Sequence, residues 1–223
     1  MHRTIKSFVL RTGRVSHRQQ LALDEWLAHY ELPAPGQQWD LTTTFGRTTD
    51  TVVEIGFGMG ASLVDMAKAA PETNFIGIEV HRAGIGSLIA DVHDDGIQNI
   101  RVAPYDAVEV FKTCLQDQAL AGVQIFFPDP WPKKRHQKRR LVQPEFIHAL
   151  VEKIKVGGFL HCATDWEDYA EQMLSVLSDE PLLNNADAAG GFMPRPERRP
   201  LTKFEQRGNR LGHGVWDLMF TRR

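Results

Sequence analysis

The chain has 223 residues, of which 42% are hydrophobic and 24% charged, as is usual for a single folded domain of the larger kind. No apolar run approaches the roughly eighteen residues that a membrane span needs, and the basic N-terminus lacks the apolar core of a secretory signal. The two cysteines, Cys114 and Cys162, fit neither a disulfide framework nor a metal-ligand spacing. We therefore expect a cytoplasmic protein without membrane contact, although an arginine-rich start also resembles an organellar transit peptide.

The formal net charge of -2 conceals an uneven distribution of charge along the chain. Residues 1–20, 133–140 and 195–210 together hold 17 of the 26 Lys and Arg residues but only 2 of the 28 acidic residues. If these three basic segments share one face, they would bind a polyanion such as nucleic acid, and the acidic remainder would orient it. The alternative is three independent solvated loops. The scarcity of acids in all three segments favours the shared face.

The N-terminal part is predicted to form one amphipathic helix at 16–30, because its apolar residues recur at helical spacing. A stretch rich in Pro, Gly and Thr follows at 32–50 and is typical of a linker. We therefore divide the chain into an N-terminal basic arm and helix, residues 1–45, and a main domain, residues 46–223.

From residue 51 onward, strand patterns alternate with helical ones. The predicted strands are 51–55, 75–78, 100–102, 123–127, 159–163 and 215–220, and the predicted helices are 61–70, 82–95, 107–119, 144–155 and 165–178. The strand at 123–127 is the most apolar and should be central. Gly157 and Gly158 are expected to end the helix before them, and Thr164 with Glu167 has the spacing of a capping box. The alternation predicts an α/β fold with a doubly wound, mainly parallel sheet.

A glycine turn follows the first predicted strand, with Gly56, Gly58 and Gly60 in the pattern GxGxG. Glycines there allow a tight turn and let a ligand approach the backbone closely. Glu79 ends the second strand, where a carboxylate can accept hydrogen bonds from a ribose diol. An acid about 20 residues after the glycines would also fit a dinucleotide site, so the pattern alone leaves NAD open.

Three details favour S-adenosylmethionine over NAD. The glycines depart from the GxGxxG spacing of dinucleotide sites. Glu54 precedes them on the strand, and a carboxylate there suits a ligand that carries an ammonium and a sulfonium group. Asp106 follows the third strand, from where an acceptor could reach an adenine amino group. The alternative for Asp106 is an acid at a helix N-terminus that complements the helix dipole.

The sequence Pro128-Asp129-Pro130-Trp131-Pro132, here called the proline turn, follows the predicted central strand. Ligands of open α/β sheets bind at the carboxyl ends of the strands. Three prolines restrict the backbone, so Asp129 and Trp131 should be well placed for chemistry. The alternative is a rigid turn with a packed Trp, and the neighbouring cofactor pattern favours the functional interpretation.

These residues together resemble the bacterial tRNA (guanine-N7-)-methyltransferases, which modify a guanine of the tRNA variable loop. The resemblance runs from Arg11 to the end of the chain and rests on 54–60, 128–136, 157–166 and 201–217. The run from the proline turn to His136 and the Thr-Lys-Phe-Glu run at 202–205 are its specific parts. The resemblance implies a class I methyltransferase fold with a seven-stranded sheet. It also implies methyl transfer from S-adenosylmethionine to N7 of guanosine 46, which leaves S-adenosylhomocysteine.

The resemblance also implies the roles of individual residues. Asp129 would be catalytic, and the cofactor would be bound by Glu54, Gly56, Gly58, Gly60, Glu79, Asp106 and Asp129. Substrate binding is implied for Lys133, Asp165, Thr202, Lys203, Phe204 and Glu205, and RNA binding for Arg135, His136, Gln137, Lys138, Arg139 and Arg140. Guanine N7 already offers a lone pair at neutral pH, so its methylation requires alignment and no general base. We therefore expect Asp129 to orient the reactants or to stabilise charge.

Each substrate contact also has a structural alternative. The basic run 133–140 could be a solvated loop, but its position beside the proline turn favours phosphate binding. Asp165 could complement a helix dipole; equally, Asp165 or Glu205 could accept hydrogen bonds from N1–H and N2–H₂ of a guanine swung out for reaction. Trp131 and Phe204 could stack on that base or simply pack. The histidines form no visible metal set, so no metal is expected, and no obligatory protein partner is implied.

Three other functions remain open at this point. The short Asp-Pro-Trp turn resembles sequences of methyltransferases that act on an exocyclic amine of an RNA or DNA base. A non-catalytic RNA-binding module that has kept the fold belongs to a different class, and failure to bind S-adenosylmethionine would identify it. An NAD-dependent oxidoreductase is disfavoured by Glu54 and by the glycine spacing.

Overall fold

The computed structural model describes residues 6–9, 13–201, 205 and 214–223. Its strands are β1 Thr51–Ile55, β2 Asn74–Ile78, β3 Ile100–Ala103, β4 Leu120–Phe126, β5 Ile154–Thr164, β6 Leu183–Asn185 and β7 Trp216–Arg222. They form one seven-stranded sheet in the order β3-β2-β1-β4-β5-β7-β6. The strands β1 to β5 pair in parallel, and β7 runs antiparallel between β5 and β6. The predicted α/β fold and its mainly parallel sheet are confirmed, with the apolar strand β4 at the centre.

Helices cover both faces of the sheet, as a doubly wound fold requires. They are α1 His17–Glu25, α2 Leu27–Tyr30, α3 Leu41–Phe45, α4 Ala61–Ala69, α5 Arg82–Asp94, α6 Ala107–Thr113, α7 Pro144–Lys153 and α8 Glu167–Ser178, with a 3₁₀ helix at Lys134–Arg139. Residues of α1, α4 and α5 pack in the hydrophobic core on one face, and residues of α6, α7 and α8 pack on the other. In each core the helices bury the apolar side chains that alternate along the strands.

The N-terminal helices lie against the main domain. The rings of Trp26 and His93 stack with their centroids 3.7 Å apart, and Arg18 pairs with Asp91 and Asp94 of α5 at 2.8 and 2.6 Å. Trp39, from the predicted linker, is buried in the core beside α6. The division of the chain at residue 45 therefore stays a prediction. No helix in the described ranges combines the length and the apolar character needed to cross a membrane.

Two predicted helix ends are wrong because tertiary contacts end the helices earlier. Helix α7 ends at Lys153 and the chain enters β5 directly, so the two glycines lie inside the strand, within a bulge between Ile154 and Phe159. A Cβ on Gly158 would lie 2.6 Å from the Ile154 side chain, which explains the glycine as a close backbone approach. Helix α6 ends at Thr113, six residues earlier than predicted, where the Cys114 carbonyl accepts a hydrogen bond from the Trp39 amide at 2.8 Å.

The predicted capping box of the last helix is also wrong. Helix α8 begins at Glu167, and its N-cap is Trp166, whose side chain makes no capping hydrogen bond. The Thr164 hydroxyl instead accepts from the Trp166 amide at 3.2 Å, only two residues further along the chain. The Thr164 hydroxyl is thus hydrogen-bonded within a local turn that ends at Trp166, the residue before the helix begins. The short strand β6, which no sequence pattern located, completes the sheet at its edge.

Candidate active site

A cavity of about 200 Å³ opens at the carboxyl ends of the parallel strands. Ile55 and Gly56 border it after β1, and Glu79 and His81 border it after β2. The proline turn after β4 contributes Asp129. The cavity therefore lies where the strand order reverses between β1 and β4, which is the ligand-binding position of open α/β sheets.

The glycine turn has the backbone that was predicted for it. Gly56, Gly58 and Gly60 have φ values of 76°, 60° and 86°, in the left-handed region that favours glycine. Gly60 is also the N-cap of α4, and a Cβ there would lie 2.8 Å from the Leu88 side chain. The turn thus brings its backbone close to α5 as well as to the cavity.

Glu79 connects the glycine turn to the end of β2. One carboxylate oxygen accepts from the Gly58 amide at 3.1 Å, and the other accepts from the Val80 and His81 amides at 2.7 and 3.1 Å. Each carboxylate oxygen has two lone pairs, so these contacts still allow a ligand hydroxyl to bind. Glu79 borders the cavity, and its contact with a ribose diol stays a prediction.

Glu54 is a buried carboxyl group in the middle of the fold. Burial raises its pKa to about 8, and the nearby charge of Glu79 adds to the shift. Its Oε2 atom is inaccessible to solvent and has no hydrogen-bond partner among the described residues. An orphan buried oxygen of this kind is costly unless a ligand satisfies it. The Glu54 carboxyl group therefore fits a cofactor that carries positive charge.

Asp106 is the N-cap of α6, and its carboxylate accepts from the Val108 amide at 3.1 Å. This is the structural alternative that was weighed from the sequence. The neighbours Tyr105 and Ala107 border the cavity, so Asp106 lies at its margin. A contact between Asp106 and a cofactor adenine stays a prediction.

The proline turn is held by hydrogen bonds in its second half. Phe127 and Trp131 have φ values of 49° and 45°, which are uncommon for residues with a side chain. The Trp131 indole N–H donates to the Ser7 carbonyl at 3.1 Å, and the Pro130 carbonyl accepts from Nε of Arg140 at 2.8 Å. Asp129 directly precedes these two anchored residues, is exposed and borders the cavity.

The Trp131 ring also has neighbours from the basic run. The His136 ring lies edge-on at 5.9 Å, and the Arg139 guanidinium lies 5.0 Å from the indole centroid. The indole is therefore partly covered by the protein itself. Packing accounts for what the structure shows of this side chain, and stacking on a base stays a prediction.

The basic run forms the 3₁₀ helix, with Lys133 as its N-cap. Lys133, Lys134, Arg135 and Lys138 are exposed, as a phosphate-binding surface requires. Partial burial and the four surrounding cationic side chains lower the pKa of His136, which therefore favours the neutral form. Gln137 donates to the Asp168 carboxylate at 3.1 Å. The run thus presents cations beside the proline turn, and its contact with RNA stays a prediction.

Arg140 is the exception to this exposure, and its assignment as an RNA contact stays a prediction. Its side chain is 3% exposed, and besides the Pro130 carbonyl it binds the Gln172 side chain at 2.6 Å and the Asp168 carboxylate. The guanidinium also lies 4.7 Å from the Tyr169 ring centroid. Arg140 therefore joins the proline turn to α8, and a phosphate could reach it only if these contacts broke.

The remaining predicted substrate residues are distributed differently. Asp165 is half-buried after the end of β5, at the same edge of the sheet as Asp129. Glu205 is 4% exposed, and both of its carboxylate oxygens accept hydrogen bonds from Arg199. Thr202, Lys203 and Phe204 lie outside the described residues. The structure thus brings Gly56, Glu79 and Asp129 to one cavity, whereas Glu54 is buried in β1 and Glu205 faces a buried arginine.

Arg199 is the main residue that the sequence analysis missed. It is fully buried and binds both Glu205 and Asp217. In the sequence it follows Arg198, which is exposed, and nothing in the pattern distinguishes the two. Two of the cations counted in the basic segments, Arg140 and Arg199, are therefore internal, which reduces the predicted polyanion surface.

Comparisons with known proteins match the chain to methyltransferases. A family profile described as "Putative methyltransferase" matches residues 48–218. The chain is 60% identical over 228 residues to the tRNA (guanine-N(7)-)-methyltransferase of Legionella pneumophila strain Corby, an alignment that covers 100% of both chains. It is 56% identical to the enzyme of the same name from Shewanella amazonensis, over 99% of this chain and 92% of the relative.

Solved structures resemble the chain in fold. The 16S rRNA methyltransferase KamB matches with a TM-score of 0.61 and 14% identity, over 83% of this chain and 94% of KamB. The aminoglycoside resistance methyltransferase NpmB1 matches with a TM-score of 0.55 and 16% identity, over 85% of this chain and 99% of NpmB1. At these identities the likeness concerns the fold, and it agrees with a Rossmann-like class I methyltransferase.

Proposed function

The chain belongs to the tRNA (guanine-N7-)-methyltransferase family, and on that premise we propose that it methylates N7 of a guanine in tRNA. The methyl donor is S-adenosylmethionine, and the target is guanosine 46 of the variable loop. The products are 7-methylguanosine in the tRNA and S-adenosylhomocysteine. The observation that carries the proposal is the end-to-end identity of 60% to an enzyme of this name.

The reaction makes limited demands on proton transfer. When bound, the cofactor would supply the methyl group of its sulfonium to the lone pair of guanine N7. Its sulfur would leave as a neutral thioether, and the positive charge would pass to the base. No proton leaves the guanine, because N7 carries none. The chain must therefore align two reactants and stabilise charge, and it needs no general base.

Asp129 suits this task in its position and its charge. Its exposed carboxylate lies on the proline turn between the cavity and the basic run. A negative group there would orient the bound reactants and stabilise the cationic base as it forms. On the cofactor side, Glu54 and the glycine turn would hold the ligand, and Glu79 would accept hydrogen bonds from its ribose.

The basic run would hold the tRNA. Lys133 and Arg135 are exposed immediately beyond the proline turn, where cations would bind the phosphates that flank the target nucleotide. Asp165 lies at the same edge of the sheet and could accept from the Watson–Crick edge of a guanine swung out of its stack. We also propose the cytoplasm as the place of this activity, because tRNA is the substrate.

The test is the identification of the methylated nucleoside. An unmodified tRNA transcript is incubated with the protein and S-adenosylmethionine labelled in the methyl group, and a nucleoside digest is then analysed. We expect 7-methylguanosine from a transcript with guanine at position 46 and none from a matched transcript with adenine there. N6-methyladenine as the labelled product would refute the proposal in favour of exocyclic amine chemistry. Absence of cofactor binding would refute it in favour of an RNA-binding module.

A further inference from the structure

Arg199 forms two bidentate ion pairs in the interior of the protein. Its Nε and Nη2 atoms donate to the two oxygens of Asp217 at 2.8 and 2.9 Å. Its Nη1 and Nη2 atoms donate to the two oxygens of Glu205 at 2.6 and 2.8 Å. The side chains of all three residues are at most 4% exposed. The planar guanidinium thus joins β7 to Glu205 with the geometry that arginine, and not lysine, can provide.

His161 of β5 extends this cluster through Asp217. Its Nε2 lies 2.7 Å from Oδ1 of Asp217, so Asp217 binds both His161 and Arg199. Burial lowers the pKa of His161 despite the neighbouring carboxylate, so the imidazole is neutral and donates from Nε2. Burial alone would raise the pKa of Asp217, but hydrogen bonds from His161 and Arg199 outweigh it and lower the pKa. Asp217 is therefore a fixed anion that orients Arg199.

The same guanidinium packs against the beginning of the proline turn. It lies 5.8 Å from the ring centroid of Phe126 and 5.5 Å from that of Phe127, within the range of cation–π attraction. Phe127 directly precedes the proline turn and has the left-handed φ of 49°. Arg199 thus contacts both the residue before the reactive segment and a carboxylate that the family resemblance assigns to substrate binding.

Buried charges of this kind are weak evidence for stability alone. Removing an arginine and two carboxylates from water is costly, and well-packed apolar residues are often as stable in their place. The best-attested use of such groups is to fix one arrangement among several. Here the arrangement that is fixed includes Glu205, Phe127 and the last strand of the sheet.

We propose that Arg199 is a positioning residue for recognition of the target guanine. It fixes the carboxylate of Glu205, which the family resemblance assigns to substrate binding, and it contacts Phe127 before the proline turn, without touching the tRNA itself. This inference rests on the proposed function, because it takes the guanine of the tRNA as the group that is recognised. Asp217 and His161 orient Arg199 in turn.

The experiment measures tRNA binding, which does not depend on methyl transfer. Fluorescence anisotropy gives the dissociation constants of the full chain for a transcript with guanine at position 46 and for one with adenine there. The variant Arg199→Lys keeps the charge and loses the bidentate geometry, and Arg198→Lys at the exposed neighbour is the matched control. We expect R199K to bind the guanine transcript about tenfold more weakly, the effect of losing a charge-assisted hydrogen bond. Binding of the adenine transcript and of S-adenosylmethionine should be unchanged.

A purely structural role gives a different result. Partial unfolding of R199K would lower the fraction of competent protein and so weaken the apparent binding of both transcripts by the same factor. Such equal weakening overturns the inference. If R199K does not fold, Glu205→Gln provides the test, since it keeps the side-chain shape and should lose the same preference for guanine. A double variant should be no weaker than either single one, because both changes remove one interaction.

The two proposals can fail separately. A wild-type protein that prefers the guanine transcript but forms no 7-methylguanosine refutes the proposed reaction, and the binding comparison still stands. A wild-type protein that forms 7-methylguanosine, with an R199K variant that keeps the full preference for guanine, refutes only the role of Arg199.

Discussion

The charge state of Glu54 leads to a quantitative prediction for cofactor binding. A pKa of about 8 means that roughly nine in ten Glu54 carboxyl groups are protonated at pH 7 in the free protein. A cofactor with positive charge binds the ionised form, so it must displace this proton. The variant Glu54→Gln has nearly the same shape as the protonated side chain and cannot ionise. It therefore isolates the effect of the charge.

The expected magnitude follows from this equilibrium. Below pH 8, cofactor affinity of the wild type should fall about tenfold for each pH unit, relative to a plateau at higher pH. The affinity of E54Q should lack this term. The amino group of the cofactor titrates in the same range, but it affects both proteins equally. The dissociation constant of E54Q divided by that of the wild type should therefore be smallest near pH 6, grow with pH and level off above about 8.

Isothermal titration calorimetry between pH 6 and 9 measures this ratio, and buffers of different ionisation enthalpy count the released proton. At pH 7 the wild type should release about 0.9 more protons per bound cofactor than E54Q. A ratio that stays constant across this range would refute the assignment of Glu54 to a cationic ligand.

Thermal unfolding of the free proteins gives an independent check with the sign fixed by linkage. The folded pKa of Glu54 lies above the value of 4.5 for an ordinary glutamate, so the unfolded chain releases this proton first as the pH rises. The stability of the free wild type should therefore decrease from about pH 4.5 to pH 8. E54Q lacks this loss, and its advantage in melting temperature should grow across the same window.

Three further predictions concern the proline turn and the basic run. Asp129→Ala should lower turnover at least about a hundredfold while changing the free energy of unfolding by less than about 0.5 kcal/mol, because the side chain is exposed; near-normal turnover in a single-turnover assay would contradict its role. Replacing Lys138 and Arg139 with Ala should weaken tRNA binding and reduce the slope of log affinity against log salt by up to about 2. Arg140→Ala should instead destabilise the fold by about 2 kcal/mol in denaturant unfolding, with the salt slope unchanged; the opposite pattern would mean that Arg140 is the phosphate contact.

The fold could be predicted because its determinants are local. The strand patterns at 51–55 and 100–102 lie within one residue of the observed strands, and the apolar run after residue 122 identified the central strand. The short strand Leu183–Asn185 has no such pattern, since it owes its place to pairing with β7 at the edge of the sheet. The predicted ends of α6 and α7 were wrong for a similar reason. The end of α6 is set by a hydrogen bond from the distant Trp39 amide, and the end of α7 by the bulge at the start of β5.

The site could be predicted only in part, because burial is a property of the whole fold. Gly56 of the glycine turn and Asp129 lie at the cavity, as their position after strands indicated. Arg139 and Arg140 are adjacent in one basic run, yet Arg139 lies over the half-buried indole of Trp131, whereas Arg140 is buried and donates to the Pro130 carbonyl. Arg198 and Arg199 repeat this contrast. A count of basic residues cannot distinguish an exposed cation that is available to phosphate from a buried cation that binds other groups of the protein.

The two buried arginines, Arg140 and Arg199, both contact the proline turn or the residue before it. Such contacts can restrain a turn whose three prolines have no backbone N–H to donate. Arg140 holds the Pro130 carbonyl from the side of α8, and Arg199 packs against Phe127 from the side of β7. The segment is thus contacted before and after Asp129, the proposed catalytic carboxylate. Methyl transfer to N7 needs alignment to within a fraction of an ångström and no proton transfer, so the demand on the protein is mainly geometric. Buried charge beside the proline turn is consistent with that demand, since ionic contacts fix one geometry more effectively than they stabilise the fold.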